Sequence, residues 1–267
     1  MIRIYPNGEE FLKENAGLLL QEPEKTTFFT GNASLMKETD KENYILRCED
    51  SGILLALKMS PYSLLLYGDK GGIEELASFL CENGYDISTL MCEEELGDAF
   101  VEAMKKHSKF YNVSISMTFM SCDQVSEPSS ADVVPADAED IEEIFTMAER
   151  FFIDCGLPDR PDRKSLAEKI GSFRCIREEG KIVCMACSTP MKGDMQRITH
   201  VYTRPEYRGK SLARRVVNTL KNEILENGRT ACLYVDNANP VSSHLYVSLG
   251  FQNMYRQNTY QLLPEQK

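Results

Sequence analysis

The apolar residues fall into periods that name elements before any motif is sought. Over residues 140–152, Ile141, Ile144, Phe145 and Ala148 recur at helical spacing while acidic residues crowd the first turn, where the helix dipole favours them. A surface helix with one apolar face is predicted there, and a second over 164–170. Three β-branched or alternating stretches follow, 173–177, 182–188 and 195–203, with Gly180 and Gly193 in the turns between them; they predict an antiparallel meander. From Lys210 the period is helical again, with Leu212, Val216, Val217, Leu220 and Ile224 on one face and a stop near Gly228. A strand over 230–235, a short helix over 241–249 ended by Gly250 and a strand through Tyr260 complete the chain.

The first half is a fainter version of the same order. Strands are predicted over 43–48, 53–58 and 63–67, then a helix over 72–83, a strand over 87–91, a helix over 93–106 and a strand over 111–118. Similar order without obvious sequence identity suggests an internal duplication. Ser121 to Ser130, with little apolar periodicity and the Ser/Pro content of a connector, separates the halves. Two α/β domains are therefore expected, 1–125 and 126–267.

The 267 residues suit two such domains, and 42% hydrophobic with 27% charged residues is an ordinary globular composition. Apolar runs such as Ile53 to Leu57 fall far short of the roughly 20 residues of a membrane helix. Residues 1–10 lack a basic region followed by an apolar stretch, so a cytoplasmic protein is expected, without a membrane partner. Nine cysteines at irregular spacing read as reduced thiols rather than a disulfide framework. Cys184 and Cys187 have the spacing of a metal or redox pair. On an alternating strand, however, residues three apart point to opposite faces, so buried thiols and no metal are expected.

Charge locates the chemistry. Residues 1–127 carry 11 basic and 22 acidic side chains, whereas 128–267 carry 19 of each. The net charge of −11 disfavours nucleic acid as a partner, and an anionic ligand is better held by the second half. There, Val201-Tyr202-Thr203-Arg204-Pro205-Glu206-Tyr207-Arg208-Gly209-Lys210-Ser211-Leu212-Ala213-Arg214-Arg215 runs from a strand through a basic turn into an amphipathic helix. The first N–H groups of a helix have no intrahelical acceptor, and small residues admit a phosphate to them, so the stretch can cradle an anion; a solvated helix start with incidental basic residues is the plainer alternative. Residues 204–229 hold seven basic and three acidic side chains.

The stretch Arg208-Gly209-Lys210-Ser211-Leu212-Ala213 resembles the acyl-CoA pyrophosphate loop of the GNAT N-acetyltransferase superfamily, with Ser211 in place of the middle Gly. Ser serves there if its φ is negative. Asn239-Pro240-Val241-Ser242-Ser243-His244-Leu245-Tyr246-Val247-Ser248-Leu249-Gly250-Phe251 is similar to the superfamily's later motif, an Asn followed by a helix that bears a Tyr and ends in Gly-Phe. The resemblance covers roughly residues 131–263 and, in its tandem form with a worn first copy, is similar to the FR47-like and glycine N-acyltransferase-like branches.

The resemblance implies two tandem GNAT-like domains, each a mixed, mainly antiparallel sheet flanked by helices, an α/β fold with α+β segregation. It implies an acetyl-CoA-dependent N-acetyltransferase that acts on a primary amine of a small molecule by direct transfer in a ternary complex. Acetyl-CoA would meet Val201, Tyr202 and Thr203 on the strand, the loop from Arg208 to Ala213 (Arg208, Gly209, Lys210, Ser211, Leu212, Ala213), Arg214 and Asn239. Tyr246 is the candidate acid for the leaving thiolate, with a core Tyr as its alternative. His200 is the one imidazole on the strand before the loop; as a base it competes with ordered water and with a mere packing role. In the first half the equivalent turn, Tyr67-Gly68-Asp69-Lys70-Gly71-Gly72-Ile73, lacks the Arg and puts Asp69 where phosphate would lie. The rival reading is a non-catalytic acyl-CoA-binding sensor or interaction protein. The acceptor, the acyl-chain preference and the choice between monomer and homodimer stay open.

Overall fold

The computed structural model describes residues 1–156 and 160–264. In chain order its elements are β1 (Ile2–Ile4), α1 (Gly8–Leu19), α2 (Pro23–Leu35), β2 (Tyr44–Glu49), β3 (Ile53–Lys58), β4 (Leu64–Gly68), α3 (Ile73–Glu82), β5 (Thr89–Glu93), α4 (Glu94–Lys105) and β6 (Tyr111–Cys122). Then follow β7 (Val134–Pro135), α5 (Ile141–Asp154), α6 (Arg163–Glu168), β8 (Phe173–Glu178), β9 (Lys181–Pro190), β10 (Met195–Thr203), α7 (Leu212–Glu226), β11 (Thr230–Asp236), α8 (Pro240–Ser248) and β12 (Gln252–Leu262). The second series repeats the first element for element: strand, two helices, three strands, helix, strand, helix, strand. The repeat is thus complete once α1 and α2 and the short strands β1 and β7 are included, none of which the sequence pattern predicts.

Two compact units result, and they do not divide at 125/126. One holds residues 1–118, 236–238 and 255 onward; the other holds 119–235 and 239–254. The physical cause is where the strand ends are buried. β6 runs on past Thr118, so that Met120 and Cys122 join the core of Val216, Leu220 and Leu233. β12 pairs its Gln257–Gln261 antiparallel with Glu93–Thr89 of β5, and Tyr260 joins the core of Leu76, Leu90 and Phe100. Gly97 on α4 lets that ring in: a Cβ there would lie 2.3 Å from it, and the Tyr260 hydroxyl donates to Asp98 at 2.7 Å.

In the second unit β7-β8-β9-β10 form the antiparallel meander, and β11 joins β10 in parallel. β9 is buried along both faces: Val183, Cys184 and Ala186 meet α7, whereas Ile182, Met185 and Cys187 meet the core of α5 and α6. Cys184 and Cys187 therefore face opposite ways, and none of the nine cysteines forms a disulfide. No group of three metal-ligating side chains occurs among the described residues, nor any helix long and apolar enough to cross a membrane.

α7 buries its predicted apolar face, but Asn218, Thr219, Lys221 and Asn222 are buried too. The segment 123–133 explains this, because it is pinned along the helix. Asn218 and Asn222 donate to the carbonyls of Glu127 and Pro128, Lys221 donates to Ser126 at 2.6 Å, and the Ser130 amide donates to Thr219. Buried polar groups need such partners.

Candidate functional site

β10 and β11 pair only across Met195–Arg197 and Thr230–Cys232. Beyond Arg197 the two parallel strands no longer pair, and at the end of β10 the second unit holds a cleft of about 920 Å³, walled by the end of α5, the loop after β10, the start of α7 and α8. On its other side, β10 loses register with β9 between Thr199 and Tyr202. His200 lies at this bulge with φ +52°, a left-handed conformation that a non-glycine residue adopts at a cost in a strand.

Val201, Tyr202, Thr203, Arg208, Gly209, Ser211, Leu212, Ala213, Arg214, Asn239 and Tyr246 all line the cleft. Two predicted residues are not on its wall. Lys210 is exposed, 4.8 Å over the Tyr207 ring and 3.9 Å from Glu178. His200 is buried among Phe151, Phe152 and Phe173, with ring centroids 5.4–5.9 Å away, and its Nδ1 has no partner. Burial, helped by Lys169 and Arg197, pushes its pKa down to about 4. That describes a neutral, packed imidazole rather than the base of an amine.

The loop owes its shape to two left-handed residues. Gly209 has φ +79° and Ser211, the residue before α7, has φ +57°. The condition set for Ser211, a negative φ, is not met: the backbone has the left-handed conformation that glycine adopts freely, and the Ser211 hydroxyl makes no capping bond. A Cβ at Gly209 would meet no atom within 4 Å, so the loop is open towards solvent and the cleft.

The surplus of basic residues counted along the sequence is balanced in space. Arg208 pairs with Asp154 at 2.7 Å and donates to the Thr203 carbonyl at 3.1 Å; Arg204 pairs with Glu143 at 2.7 Å, Arg214 with Glu127, and Arg215 with Asp132. An anion here would rely on backbone N–H groups and the start of α7, with Arg208 free to exchange Asp154 for phosphate. Asp154, Phe151 and Cys155 of the α5 end also line the cleft, as do Val241, Ser242 and His244. Periodicity marked α5 as a helix but carried no signal that its end reaches the loop. Asn239 caps α8, its Oδ1 accepting from the Ser242 amide at 3.1 Å. Tyr246 is buried, with its ring 6.0 Å from Phe251, and no described residue hydrogen-bonds its hydroxyl; burial raises its pKa above the ordinary phenol value.

The first unit repeats the splay but not the loop. β4 and β5 pair only across Leu64–Leu65 and Leu90–Met91, and the adjoining cavity is about 280 Å³. Its turn is filled: Asp69 accepts from the Ile53 amide at 3.0 Å, and a Cβ at Gly71 or Gly72 would lie 1.8 Å from Ser51 Oγ or 2.7 Å from Cys48 Sγ.

Residues 176–261, about a third of the chain and the part that carries the loop and α8, match the family model described as FR47-like protein. The chain is similar over 98% of its length to all of an acetyltransferase from the GNAT family of Colwellia psychrerythraea, at 11% identity and a TM-score of 0.66. It is similar end to end to a tandem GNAT protein from the clavulanic acid biosynthesis pathway, at 12% identity and a TM-score of 0.58. A GCN5-related N-acetyltransferase from Sphaerobacter thermophilus matches over 84% of this chain and 82% of its own, at 17% identity and a TM-score of 0.55. Among curated proteins no sequence matches.

Proposed function

From a chain with the tandem GNAT fold and an FR47-like second unit, we propose that this protein binds one acetyl-CoA in the cleft at the end of β10, beside the start of α7 and α8, and transfers its acetyl group directly to a primary amine of a small molecule. The observation that carries the reading is the coincidence of the strand splay with an open loop: pairing stops at Arg197, and twelve residues further on comes Gly209, with its left-handed backbone and empty surroundings.

Each residue's part follows from its place. The unpaired edge of β10 at Val201–Thr203 offers N–H and C=O groups to the amides of a pantetheine arm, as an added strand would. Gly209, Ser211, Leu212 and Ala213 present backbone N–H groups to pyrophosphate, and Arg208 and Arg214 adjoin them. Holding the thioester beside an amine supplies orientation, which in favourable cases is worth roughly 7–11 kcal/mol of barrier. Tyr246 can donate its free hydroxyl to the departing sulfur. Its raised pKa makes complete proton transfer to a thiolate uphill, so hydrogen-bond donation is its first role. His200 is not assigned the base; a water in the cleft removes the proton in this reading.

Calorimetry with acetyl-CoA and release of free thiol with an amine panel test the proposal. One site per chain with amine-dependent thiol release is the expected result. Binding without release from any amine would leave an acyl-CoA sensor, and two equivalent sites would restore the first unit as a second binder.

A further inference from the structure

Of the nine cysteines, Cys155 alone is exposed; seven are buried and Cys81 is half-buried. The exposed thiol is also the one that lines the large cleft of the second unit. Its place there follows from α5, whose last turns run beside β10. Phe151 stacks on His200 at the bulge, with ring centroids 5.4 Å apart, and Asp154 pairs with Arg208 beyond the end of the strand. Cys155 closes the final turn, its amide donating to the Phe151 carbonyl at 2.9 Å, so it shares the helix face of Phe151. Between bulge and loop stand Val201, Tyr202 and Thr203, and all three line the cleft together with Phe151, Asp154 and Cys155. The thiol is thus beside the strand edge that is proposed above to pair with a pantetheine arm.

α8 supplies an independent sign of a ligand at this spot. Tyr246 is only 7% exposed and lines the same cleft, yet no described residue holds its hydroxyl. A buried polar group is costly until a partner reaches it. Burial and then the nearness of Cys155 raise the pKa of Tyr246, so the sulfur and the hydroxyl belong to one neighbourhood.

We propose that Cys155 is itself an acyl acceptor: when acetyl-CoA is bound and no amine occupies the cleft, its sulfur takes the acetyl group. The inference rests on the acetyl-CoA reading above and adds a second activity to it, self-acylation. A bond forms between Cys155 Sγ and the acetyl carbon while the carbon–sulfur bond to CoA breaks. The Cys155 proton passes to water, and the CoA thiolate, with Tyr246 donating to it as it leaves, takes a proton back from water. One thioester and one thiol give another thioester and another thiol, so no oxidant or reductant is required and excess CoA reverses the step. Even an unperturbed thiol is roughly a few per cent thiolate near pH 7, and the thiolate is strongly nucleophilic. Without amine, occupancy of Cys155 then follows the ratio of acetyl-CoA to CoA.

The test incubates the full chain with acetyl-CoA in the absence of amine and follows its intact mass, with peptide mapping of the product. We expect the gain of a single acetyl group at Cys155, removed by hydroxylamine and also by excess CoA. Cys155→Ser, a near-isosteric change at an exposed position, should lose that hydroxylamine-sensitive gain altogether. Desulfo-CoA, which can fill the cleft but has no thiol, should suppress the gain in the parent chain. No acetyl gain although calorimetry shows acetyl-CoA bound would overturn the proposal and leave the transferase reading in place. So would a gain spread over other cysteines, or one at Cys155 that desulfo-CoA does not reduce. Acetylation of Cys155 without thiol release to any amine would uphold the proposal and sink the amine transferase. If calorimetry shows no acetyl-CoA bound, both fail.

Discussion

Ser211→Gly isolates the conformational demand of the loop. Ser211 holds φ +57° and ψ +21°, a region that costs an L-residue about 1–2 kcal/mol and a glycine almost nothing. Against that relief stands the greater freedom that glycine has in the unfolded chain, about 0.4–1 kcal/mol. The hydroxyl contributes little to the balance, since it is exposed and makes no capping bond. The net is a stabilisation of roughly 0.5–1 kcal/mol, or about 1–4 °C in the melting of a unit this size. Because the backbone N–H groups stay where they are, acetyl-CoA affinity should remain within about threefold, roughly 0.6 kcal/mol. Calorimetric melting with Ser211→Ala as control is the assay. The alanine keeps the left-handed strain, so it should melt within a degree or so of the parent, on the order of 0.3 kcal/mol. A glycine variant that melts lower, or an alanine variant that gains as much, would refute the reasoning and show that the loop is held by side-chain contacts of Ser211.

Three further outcomes follow from the same geometry. Gly209→Val puts a β-branched residue at φ +79°, where the space is empty but the backbone disfavours it; binding of acetyl-CoA should fall below detection in calorimetry while the melting of the first unit is untouched. Tyr246→Phe removes a hydroxyl that no described residue holds, so folding and acetyl-CoA affinity should be kept and turnover should drop towards the low end of the roughly 10²–10⁴-fold range for a lost proton donor; a wild-type rate would make Tyr246 a packing residue. His200 is held neutral in the fold, with a pKa of about 4 against 6.5 unfolded, so below pH 6.5 the unfolded chain gains a proton that the native one lacks, and stability falls by roughly 3 kcal/mol by pH 4 and is constant in this respect above pH 7. His200→Asn, which tolerates the left-handed backbone and does not titrate, should flatten that slope in urea titrations across pH 4–7; an unchanged slope would mean that His200 is protonated in the fold.

How much of this was legible depends on whether neighbours in sequence or in space decide. α7 was read residue by residue, because Leu212, Val216, Val217, Leu220 and Ile224 are both periodic and buried. α2 was invisible for the converse reason: its buried face is Thr26, Phe29, Thr30 and Ala33, which offers almost no contrast with the polar side. The cleft residues from Val201 to Ala213 and Asn239 were legible because the loop is local, a strand, a turn and a helix start in one stretch. Charge misled where it was counted along the chain. The carboxylates that balance Arg204, Arg208, Arg214 and Arg215 come from α5 and from the segment before β7, at separations of 54 to 87 residues for those spanning Asp154, Glu143, Asp132 and Glu127. The exchange of strand ends was equally out of reach, since a β period names a strand but not its partner.

The two copies show what an open cleft beside a splayed strand pair needs beyond its strands. Both separate a parallel pair after two or three rungs, so the splay belongs to the order of elements and survives divergence. The turn does not. At Gly209 the backbone is left-handed and uncovered, whereas Gly71 and Gly72 are glycines because Ser51 and Cys48 stand where a Cβ would be. The same residue type thus does opposite work, opening one turn and packing the other shut. Asp69, held on the Ile53 amide, then adds a carboxylate beside the one helix start where phosphate would want none, in a half that carries 22 acidic and 11 basic side chains. Reopening the first unit would require changes at Ser51, Cys48 and Asp69 together, which is why a glycine count in that turn overstates its kinship with the loop at Arg208–Ala213.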